Sequence, residues 1–137
     1  MDRAHAARGK VRVFLVDDDE GLCRSSAMLL EAEGFAVETF TSADLLLAYS
    51  DRACGPDQSG CLVLDLHLPG SNGFALLSAL RTRGSTLPAM LITAGCASLS
   101  ALAASHPGAA FTAVLEKPFR AGTLLRSIRA MLSECGH

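Results

Sequence analysis

Carboxylates, a hydroxyl and a lysine follow four apolar segments of the chain, each at the point where the segment ends. The segment VRVFLV runs into the four acids at residues 17–20, and CLVL runs into Asp65. Two further segments end at Thr93, in LITAG, and at Lys117, in VLEKPF. Carboxylates gathered in one place would repel one another by roughly 4 kcal/mol per pair at about 4 Å in an effective dielectric near 20. Mg²⁺, a hard cation that prefers oxygen ligands, would compensate this repulsion.

The same side chains suit a phosphoryl group. Lys117 supplies a fixed positive charge and Thr93 a hydroxyl donor, which match an anion that carries three oxygen atoms. A bound metal neutralises charge while phosphorus is attacked, and an aspartate oxygen is a reasonable nucleophile. We therefore expect metal-assisted phosphoryl transfer to an aspartate, provided that the fold brings these residues together.

Five short apolar runs alternate with segments of helical pattern. The runs cover residues 11–16, 35–39, 61–66, 89–93 and 111–115. The helical segments cover residues 20–33, 41–50, 71–84, 98–105 and 120–132. Such alternation with short connections predicts parallel strands with helices on both faces of the sheet. The predicted fold class is therefore α/β, a doubly wound five-stranded parallel sheet with five helices.

Ligands of an open α/β sheet bind beyond the carboxyl ends of its strands, near the point where the strand order reverses. The predicted fold brings five residues to that rim: Asp17, Asp18, Asp65, Thr93 and Lys117. Acids that follow a strand often belong only to a helix N-terminus, where the helix dipole favours them. We expect that purely structural role for Asp19 and Glu20.

Size and composition restrict the alternatives. The chain has 137 residues, of which 50% are hydrophobic, and a net charge of −2. One folded domain is expected, with no basic footprint for nucleic acid. No segment approaches the length of a membrane span, and the first ten residues lack the apolar stretch of a signal peptide. We expect a cytoplasmic protein with a flexible leader at residues 1–10, a domain at 11–133 and a tail at 134–137.

The cysteines and histidines show no spacing that is typical of a zinc site. The cysteines form an odd set without a C-x-x-C pair, at Cys23, Cys54, Cys61, Cys96 and Cys135. This favours reduced thiols, although Cys54 and Cys61 flank a loop and leave a disulfide open as an alternative. Cys96, three residues after Thr93, is the candidate for reactivity.

Four elements in order resemble the receiver domain of bacterial two-component response regulators. They are the acidic pair in LVDDDE, the acceptor pattern in LVLDLHLPGSNGF, the hydroxyl in LITAG and the lysine–proline step in LEKPF. The resemblance extends over residues 11–132. The segments GFAVETFTSADLLL and DLHLPGSNGFALL are most similar to the FixJ-type subgroup, whose members often carry a helix-turn-helix output domain. The resemblance implies a flavodoxin-like, CheY-like sheet with the strand order 2-1-3-4-5.

The resemblance also implies a role for each rim residue. Asp65 would take a phosphoryl group from the phosphohistidine of a sensor histidine kinase or a phosphotransfer protein. Mg²⁺ would be held by Asp17, Asp18, Asp65 and the backbone carbonyl of His67, so the His67 imidazole is expected to face solvent. Thr93 and Lys117 would contact the phosphoryl oxygens.

Further expectations follow from the resemblance. The Lys117–Pro118 peptide would be cis, and Pro69 and Gly73 would shape the loop after the acceptor. The chain would be a signalling module and not an enzyme, apart from Mg²⁺-dependent self-phosphorylation and slow self-dephosphorylation. Phosphorylation would shift a population and repack helix 4, strand 5 and helix 5. That face would bind an effector or form a homodimer, and DNA would be contacted only through an output domain.

The chain departs from the family pattern in two places. Three residues before the lysine, where the family usually has Tyr or Phe, stands Val114, while Phe111 lies three residues further back. Either the aromatic switch is absent or Phe111 takes over part of it. Residues 95–111 are rich in Ala and Ser and break at His106-Pro107-Gly108. We therefore predict that the fourth helix is short or mobile and that the signalling surface is non-standard.

Two other functions stay open at this point. LVDDDEG matches the strand followed by D-x-D of haloacid-dehalogenase-like phosphatases, with Asp17 and Asp19 in the motif. Such an enzyme would need more chain for its cap and leaves LDLHLPGSNG without a role. The third possibility is an interaction module that keeps the receiver fold and has lost signalling, which Val114 mildly favours.

Overall fold

The computed structural model describes residues 10–49, 53–54, 59–95 and 99–134. Five parallel strands form the main sheet: β1 (Arg12–Val16), β2 (Ala36–Phe40), β3 (Cys61–Asp65), β4 (Ala89–Thr93) and β5 (Ala113–Glu116). Their order in space is β2-β1-β3-β4-β5. The predicted parallel sheet and its 2-1-3-4-5 order are confirmed, and each strand begins and ends within two residues of its predicted bounds.

Five helices with defined bounds lie within the described residues: α1 (Glu20–Ala32), α2 (Ala43–Ala48), α3 (Gly73–Thr82), α4 (Leu99–Ser105) and α5 (Ala121–Glu134). The first three begin at side-chain caps. Asp19, Ser42 and Asn72 each accept a hydrogen bond from the backbone N–H three residues further on. Gly34 and Gly84 follow α1 and α3 with φ near +100° (97° and 103°), a left-handed backbone that glycine adopts without strain.

The sheet is buried on both faces because successive side chains of a strand point in opposite directions. In β1, Phe14 and Val16 pack into a cluster with side chains of α2 and α3. Val13 and Leu15 pack into a second cluster with side chains of α1 and α5. Every residue of β3 and β4 is buried, which explains why these strands form continuous apolar runs in the sequence. The carboxyl ends of the central strands are therefore held by a packed core.

A short ladder directly after β3 was not predicted from the sequence. His67–Leu68 pairs antiparallel with Ser71–Asn72, and the turn between them contains Pro69 and Gly70. Gly70 has φ +67°, the left-handed conformation that suits a glycine after proline in a tight turn. Strands of two residues are too short to show an alternating pattern. The ladder returns the chain to the sheet so that α3 begins beside the end of β3.

The fourth helix is short, as predicted. It spans seven residues, and none of its described side chains is buried. Residues 96–98, which include the candidate Cys96, lie outside the described residues, as do the leader at residues 1–9 and the tail at residues 135–137. Cys23, Cys54 and Cys61 are present as thiols. In the described ranges, no helix is long and apolar enough to cross a bilayer.

Candidate functional site

The carboxyl edge of the sheet brings two carboxylates to one ammonium group. β1 and β3 pair with Val16 opposite Leu64, so the next residues, Asp17 and Asp65, lie side by side. Lys117 Nζ lies 2.9 Å from Asp17 Oδ2 and 3.2 Å from Asp65 Oδ2. Asp17 is fully buried and Asp65 is 4% exposed. The three side chains that were predicted to share a rim therefore form one charged cluster, in which both carboxylates are buried and the lysine is partly exposed.

Backbone hydrogen bonds hold these residues at the edge of the sheet. The Asp17 N–H donates to the Phe40 carbonyl at 3.0 Å, which fixes the end of β1 against β2. The Lys117 N–H donates to the Thr93 carbonyl at 2.7 Å, which fixes the residue after β5 against β4. Since the main chain is paired on both sides of the site, the positions of the side chains follow from the sheet rather than from mobile loops.

The charges of the cluster shift two pKa values. Burial raises the pKa of Asp65 above its ordinary value, and the neighbouring charge of Asp17 raises it further, while Lys117 opposes both effects. For Lys117, burial lowers the pKa, but contact with Asp17 and the charges of Asp17 and Asp65 outweigh burial, so that its pKa is raised. The lysine therefore stays positively charged at neutral pH.

Three carboxylates at the site fit a hard divalent cation. Asp17, Asp18 and Asp65 each offer one oxygen, and these oxygens lie within 4.8 Å of one another. Asp18 is exposed to solvent, whereas Asp17 Oδ2 is buried and, among the described residues, accepts no aligned hydrogen bond. A set of oxygen donors with one incompletely satisfied carboxylate suits Mg²⁺, which binds through one or two carboxylates and keeps several waters.

The side chain of His67 is exposed to solvent, as the resemblance implied. Its backbone N–H donates to Asp65 Oδ1 at 3.3 Å, so the start of the short ladder helps to orient the Asp65 carboxylate. The Lys117–Pro118 peptide is cis, as the resemblance implied.

Thr93 lies at the same edge, but its hydroxyl is engaged elsewhere. The residue is fully buried, and its Oγ1 donates to the Gly95 carbonyl and accepts a hydrogen bond of 3.1 Å from the Gly95 N–H. The structure thus brings the Thr93 main chain to the site, while the hydroxyl stays within its own loop.

Gly73 lies against the backbone of Asp65. A Cβ atom at this position would lie 2.8 Å from the Asp65 carbonyl oxygen and 3.0 Å from Leu91 Cδ1. Its N–H donates to the Leu66 carbonyl at 3.0 Å. Only a glycine lets α3 begin this close to the end of β3.

Asp19 has a contact that the sequence did not reveal. The expected role at the helix N-terminus is confirmed, because Asp19 Oδ1 caps α1 by accepting the Leu22 N–H at 3.0 Å. In addition, the backbone N–H of Asp19 donates to Asp17 Oδ1 at 2.9 Å. The spacing D-x-D was the only available signal, and it was interpreted as a possible phosphatase motif.

The chain matches a known protein family over most of its length. A family model described as the response regulator receiver domain matches residues 13–129. The chain belongs to the response regulator receiver family. It is 37% identical over 120 residues to the transcriptional regulatory protein FixJ of Azorhizobium caulinodans, a match that covers 88% of this chain and 54% of FixJ. It is 36% identical over 124 residues to the sensory transduction protein RegX3 of Mycobacterium tuberculosis, with coverage of 90% and 52%.

Solved structures show the same fold. A CheY-like receiver domain protein from Methanospirillum hungatei JF-1 superposes with a TM-score of 0.78 at 25% identity, covering 92% of this chain and 96% of that protein. Full-length FixJ from B. japonicum superposes with a TM-score of 0.74 at 29% identity, covering 93% of this chain and 60% of FixJ. The receiver chain spans about half the length of the curated relatives it matches. The predicted family, including its FixJ-type subgroup, is confirmed.

Membership in the receiver family argues against the phosphatase that the sequence left open. Receiver domains are signalling domains and not enzymes in the ordinary sense. The haloacid-dehalogenase alternative required Asp19 as a second reactive carboxylate, but that side chain is exposed and caps α1. The phosphatase interpretation therefore has no support.

Val114 on β5 stands at the position where the resemblance led us to expect an aromatic residue. Val114 is 52% exposed, on the open edge of the sheet. Phe111 precedes β5 and is half-buried, with its ring edge-on to Phe74 at 5.0 Å between centroids. Phe74 also stacks on His106 at 6.4 Å, just after α4. An aromatic cluster of Phe74, His106 and Phe111 thus lies between α3 and the segment that follows α4.

Proposed function

We propose that this receiver domain accepts a phosphoryl group on Asp65 in a Mg²⁺-dependent reaction. The observation that carries the proposal is the convergence of Asp17 and Asp65 on Lys117 Nζ, at 2.9 and 3.2 Å. Asp18 completes a set of three carboxylate oxygens within 4.8 Å of one another. Membership in the receiver domain family supports the phosphoacceptor role.

In the proposed reaction, an Asp65 carboxylate oxygen attacks the phosphorus atom of a phosphohistidine. The new P–O bond forms as the P–N bond breaks, and the electron pair of that bond stays on the imidazole nitrogen of the donor. Lys117 keeps its contact with Asp65 and offsets the charge that the phosphoryl group brings. Asp17, Asp18, Asp65 and the His67 carbonyl would hold Mg²⁺, which neutralises phosphoryl oxygens when it is bound.

Thr93 supplies the link from the site to the signalling face. To donate to a phosphoryl oxygen, its hydroxyl has to release the hydrogen bond that it donates to the Gly95 carbonyl. That release alters the segment between β4 and α4 and shifts the population of conformations on the face formed by α4, β5 and α5. Phe111 takes over part of the switching role of the aromatic residue that β5 lacks, because its ring packs on Phe74 beside α4.

The proposed phosphoryl donor is a sensor histidine kinase or a phosphotransfer protein in the cytoplasm. The proposed output is either a homodimer through the α4–β5–α5 face or contact with an effector domain. FixJ and RegX3 are named as a transcriptional and a sensory transduction protein, and each is about twice as long as the matched region. Transcriptional output through a further domain is in keeping with these relatives.

Phosphorylation by a small donor tests the assignment of Asp65. We expect phosphoramidate with Mg²⁺ to modify the native chain, and the Asp65→Asn variant to lose this modification because the nucleophilic oxygen is gone. Intact-mass spectrometry measures the modified fraction against time. Asp44→Asn is the matched control, since Asp44 is an exposed acid in the first turn of α2. The proposal is wrong if Asp65→Asn is modified as fast as the control, or if the native chain is not modified at all.

A further inference from the structure

We propose that Asp19 is a positioning residue for phosphorylation, because by capping α1 it aims its own backbone N–H at the metal-binding carboxylate of Asp17. The proposal rests on the proposed function of Asp17 as a Mg²⁺ ligand. It gives Asp19 a role in the reaction in addition to its part in the helix.

One residue joins the helix to the carboxylate. The side chain of Asp19 accepts the Leu22 N–H at 3.0 Å, and its φ of −84° and ψ of 102° are those of an extended N-cap. The main chain of the same residue donates to Asp17 Oδ1 at 2.9 Å. The cap therefore fixes the peptide unit whose N–H orients Asp17.

The two oxygens of Asp17 differ in their surroundings. Oδ1 is held by the Asp19 N–H, while Oδ2 lies 2.9 Å from Lys117 Nζ and accepts no aligned hydrogen bond among the described residues. Fixing Oδ1 also fixes the rotation of the carboxylate and directs Oδ2 toward Lys117 and Asp65. Because Asp17 is fully buried, a donor that loses its alignment would leave Oδ1 with a poorer hydrogen bond.

A second contact joins the same turn of α1 to Asp17. The Cys23 thiol donates to the Asp17 carbonyl oxygen at 3.3 Å, and the Cys23 N–H donates to the Asp19 carbonyl at 3.0 Å. Cys23 is itself buried against the sheet. The first turn of α1 is thus a rigid support for the acidic segment, and the cap at Asp19 is the part of it that can be removed without creating a cavity.

The charge of Asp19 offers a different explanation that an experiment can separate. Asp19 is an exposed acid close to three carboxylates, so it would also attract Mg²⁺ through its charge alone. Asn and Ser cap helices about as well as Asp but carry no charge, whereas Ala neither caps nor carries charge. The proposal requires the cap and not the charge.

The experiment compares the native chain with Asp19→Ala, Asp19→Asn, Asp19→Ser and Asp19→Thr. Titration calorimetry gives the Mg²⁺ dissociation constant, and phosphoramidate labelling gives the rate of phosphorylation against Mg²⁺ concentration. We expect Asp19→Ala to weaken Mg²⁺ binding by about three- to tenfold, with the maximal rate at saturating Mg²⁺ nearly unchanged. Asn and Ser should stay within about twofold of the native affinity, and Thr, a weaker cap, should fall between Ser and Ala.

Ser42→Ala is the matched control, because Ser42 caps α2 in the same way without contacting the carboxylates. It should lower stability and leave the Mg²⁺ affinity unchanged. The proposal is overturned if Asp19→Ala binds Mg²⁺ like the native chain, if Asn and Ser lose as much affinity as Ala, or if Ser42→Ala loses a similar amount. Should Asp19→Ala fail to fold, the Thr variant takes its place, and a native Mg²⁺ affinity of Asp19→Thr also overturns the proposal. A native chain that is never phosphorylated contradicts the proposed function instead, and the Mg²⁺ affinities still decide the role of Asp19.

Discussion

Asp17 and Asp65 are two buried carboxylates that share one ammonium group at Lys117 Nζ. A core built only for stability would not place two like charges side by side, because each loses its hydration and repels the other. The sheet holds them there through backbone hydrogen bonds and side-chain packing. At the residue scale, we therefore expect the candidate site to lower stability, as is common for sites that serve a function.

This repulsion predicts that Asp65→Asn is more stable than the native chain at neutral pH. Because the pKa of Asp65 is raised in the folded state above its ordinary 3.8, the unfolded chain releases this proton first as the pH rises. Folded stability is lost across that window, and it stays lost at higher pH. Lys117, whose raised pKa lies above 10.5, contributes equally throughout this range.

Urea unfolding at pH 7 and at about pH 4 measures the effect. The free energy of unfolding of Asp65→Asn should exceed that of the native chain at pH 7, and the difference should shrink toward the acid end. Asp44→Asn, at an exposed site, should change little at either pH. An Asp65→Asn variant that is less stable than the native chain at pH 7 would contradict this account of the cluster.

The sequence predicted which residues meet but not how each is bonded. Asp17, Asp65 and Lys117 follow strand ends, and the carboxyl ends of parallel strands share one edge, so their meeting follows from the fold class. The rotamer of Thr93 and the bond from Asp19 to Asp17 depend on local backbone angles that no residue pattern encodes. The place of Asp19 at a helix N-terminus was expected, whereas its hydrogen bond to Asp17 was not.

At the scale of elements, α4 is the least anchored of the described helices. None of its side chains is buried, whereas α5 buries Leu124, Ile128, Met131 and Leu132. Contact with the core comes from the half-buried Leu99 and Leu102. His106 adds to it, because its Nδ1–H donates to the Leu102 carbonyl at 3.0 Å and its ring stacks on Phe74. Few buried contacts imply a low free energy for local opening.

Hydrogen exchange should show this difference directly. Amides of α4 are expected to exchange faster than the central amides of α5, because opening α4 exposes little apolar surface. Phe111→Ala, which removes the edge-on contact with Phe74, should speed exchange in α4 further, by about two- to tenfold for a contact of this kind. Exchange followed by mass spectrometry measures both effects.

Tyr49→Ala is the control for this prediction. Tyr49 contacts the Phe40 ring at 5.9 Å between centroids, at the end of β2 on the opposite edge of the sheet. Its loss should leave exchange in α4 unchanged. Equal protection of α4 and α5 would show that α4 is anchored more firmly than its packing indicates.

Elements with a long, regular pattern were predictable, and short ones were not. Continuous apolar runs identified β3 and β4 because both strands are buried on both faces. The ladder at residues 67–72 has two residues in each strand, which leaves no pattern to detect. Phe111 belongs by composition to the last strand, but its ring packs against Phe74, so β5 begins two residues later.

At the scale of the molecule, the described residues form a five-stranded sheet between two helical layers, with the candidate site at one edge of the sheet. The two core clusters fix the strands, and the strands fix the distances among Asp17, Asp65 and Lys117. The less buried parts are α4 and the edge strand at Val114. They follow β4 in the chain, so a rearrangement at Thr93 would affect them first. A rigid reaction site beside a loosely packed surface is what a phosphorylation-driven population shift requires.

The central claim is that the transferred phosphoryl group resides on Asp65. Borohydride reduction converts an aspartyl phosphate into the corresponding alcohol, and peptide mapping by mass spectrometry then locates the altered residue. After treatment with phosphoramidate and Mg²⁺, the account predicts the alcohol at position 65 and unmodified Asp17 and Asp18. Reduction products at Asp17 or Asp18, with Asp65 unchanged, would contradict it.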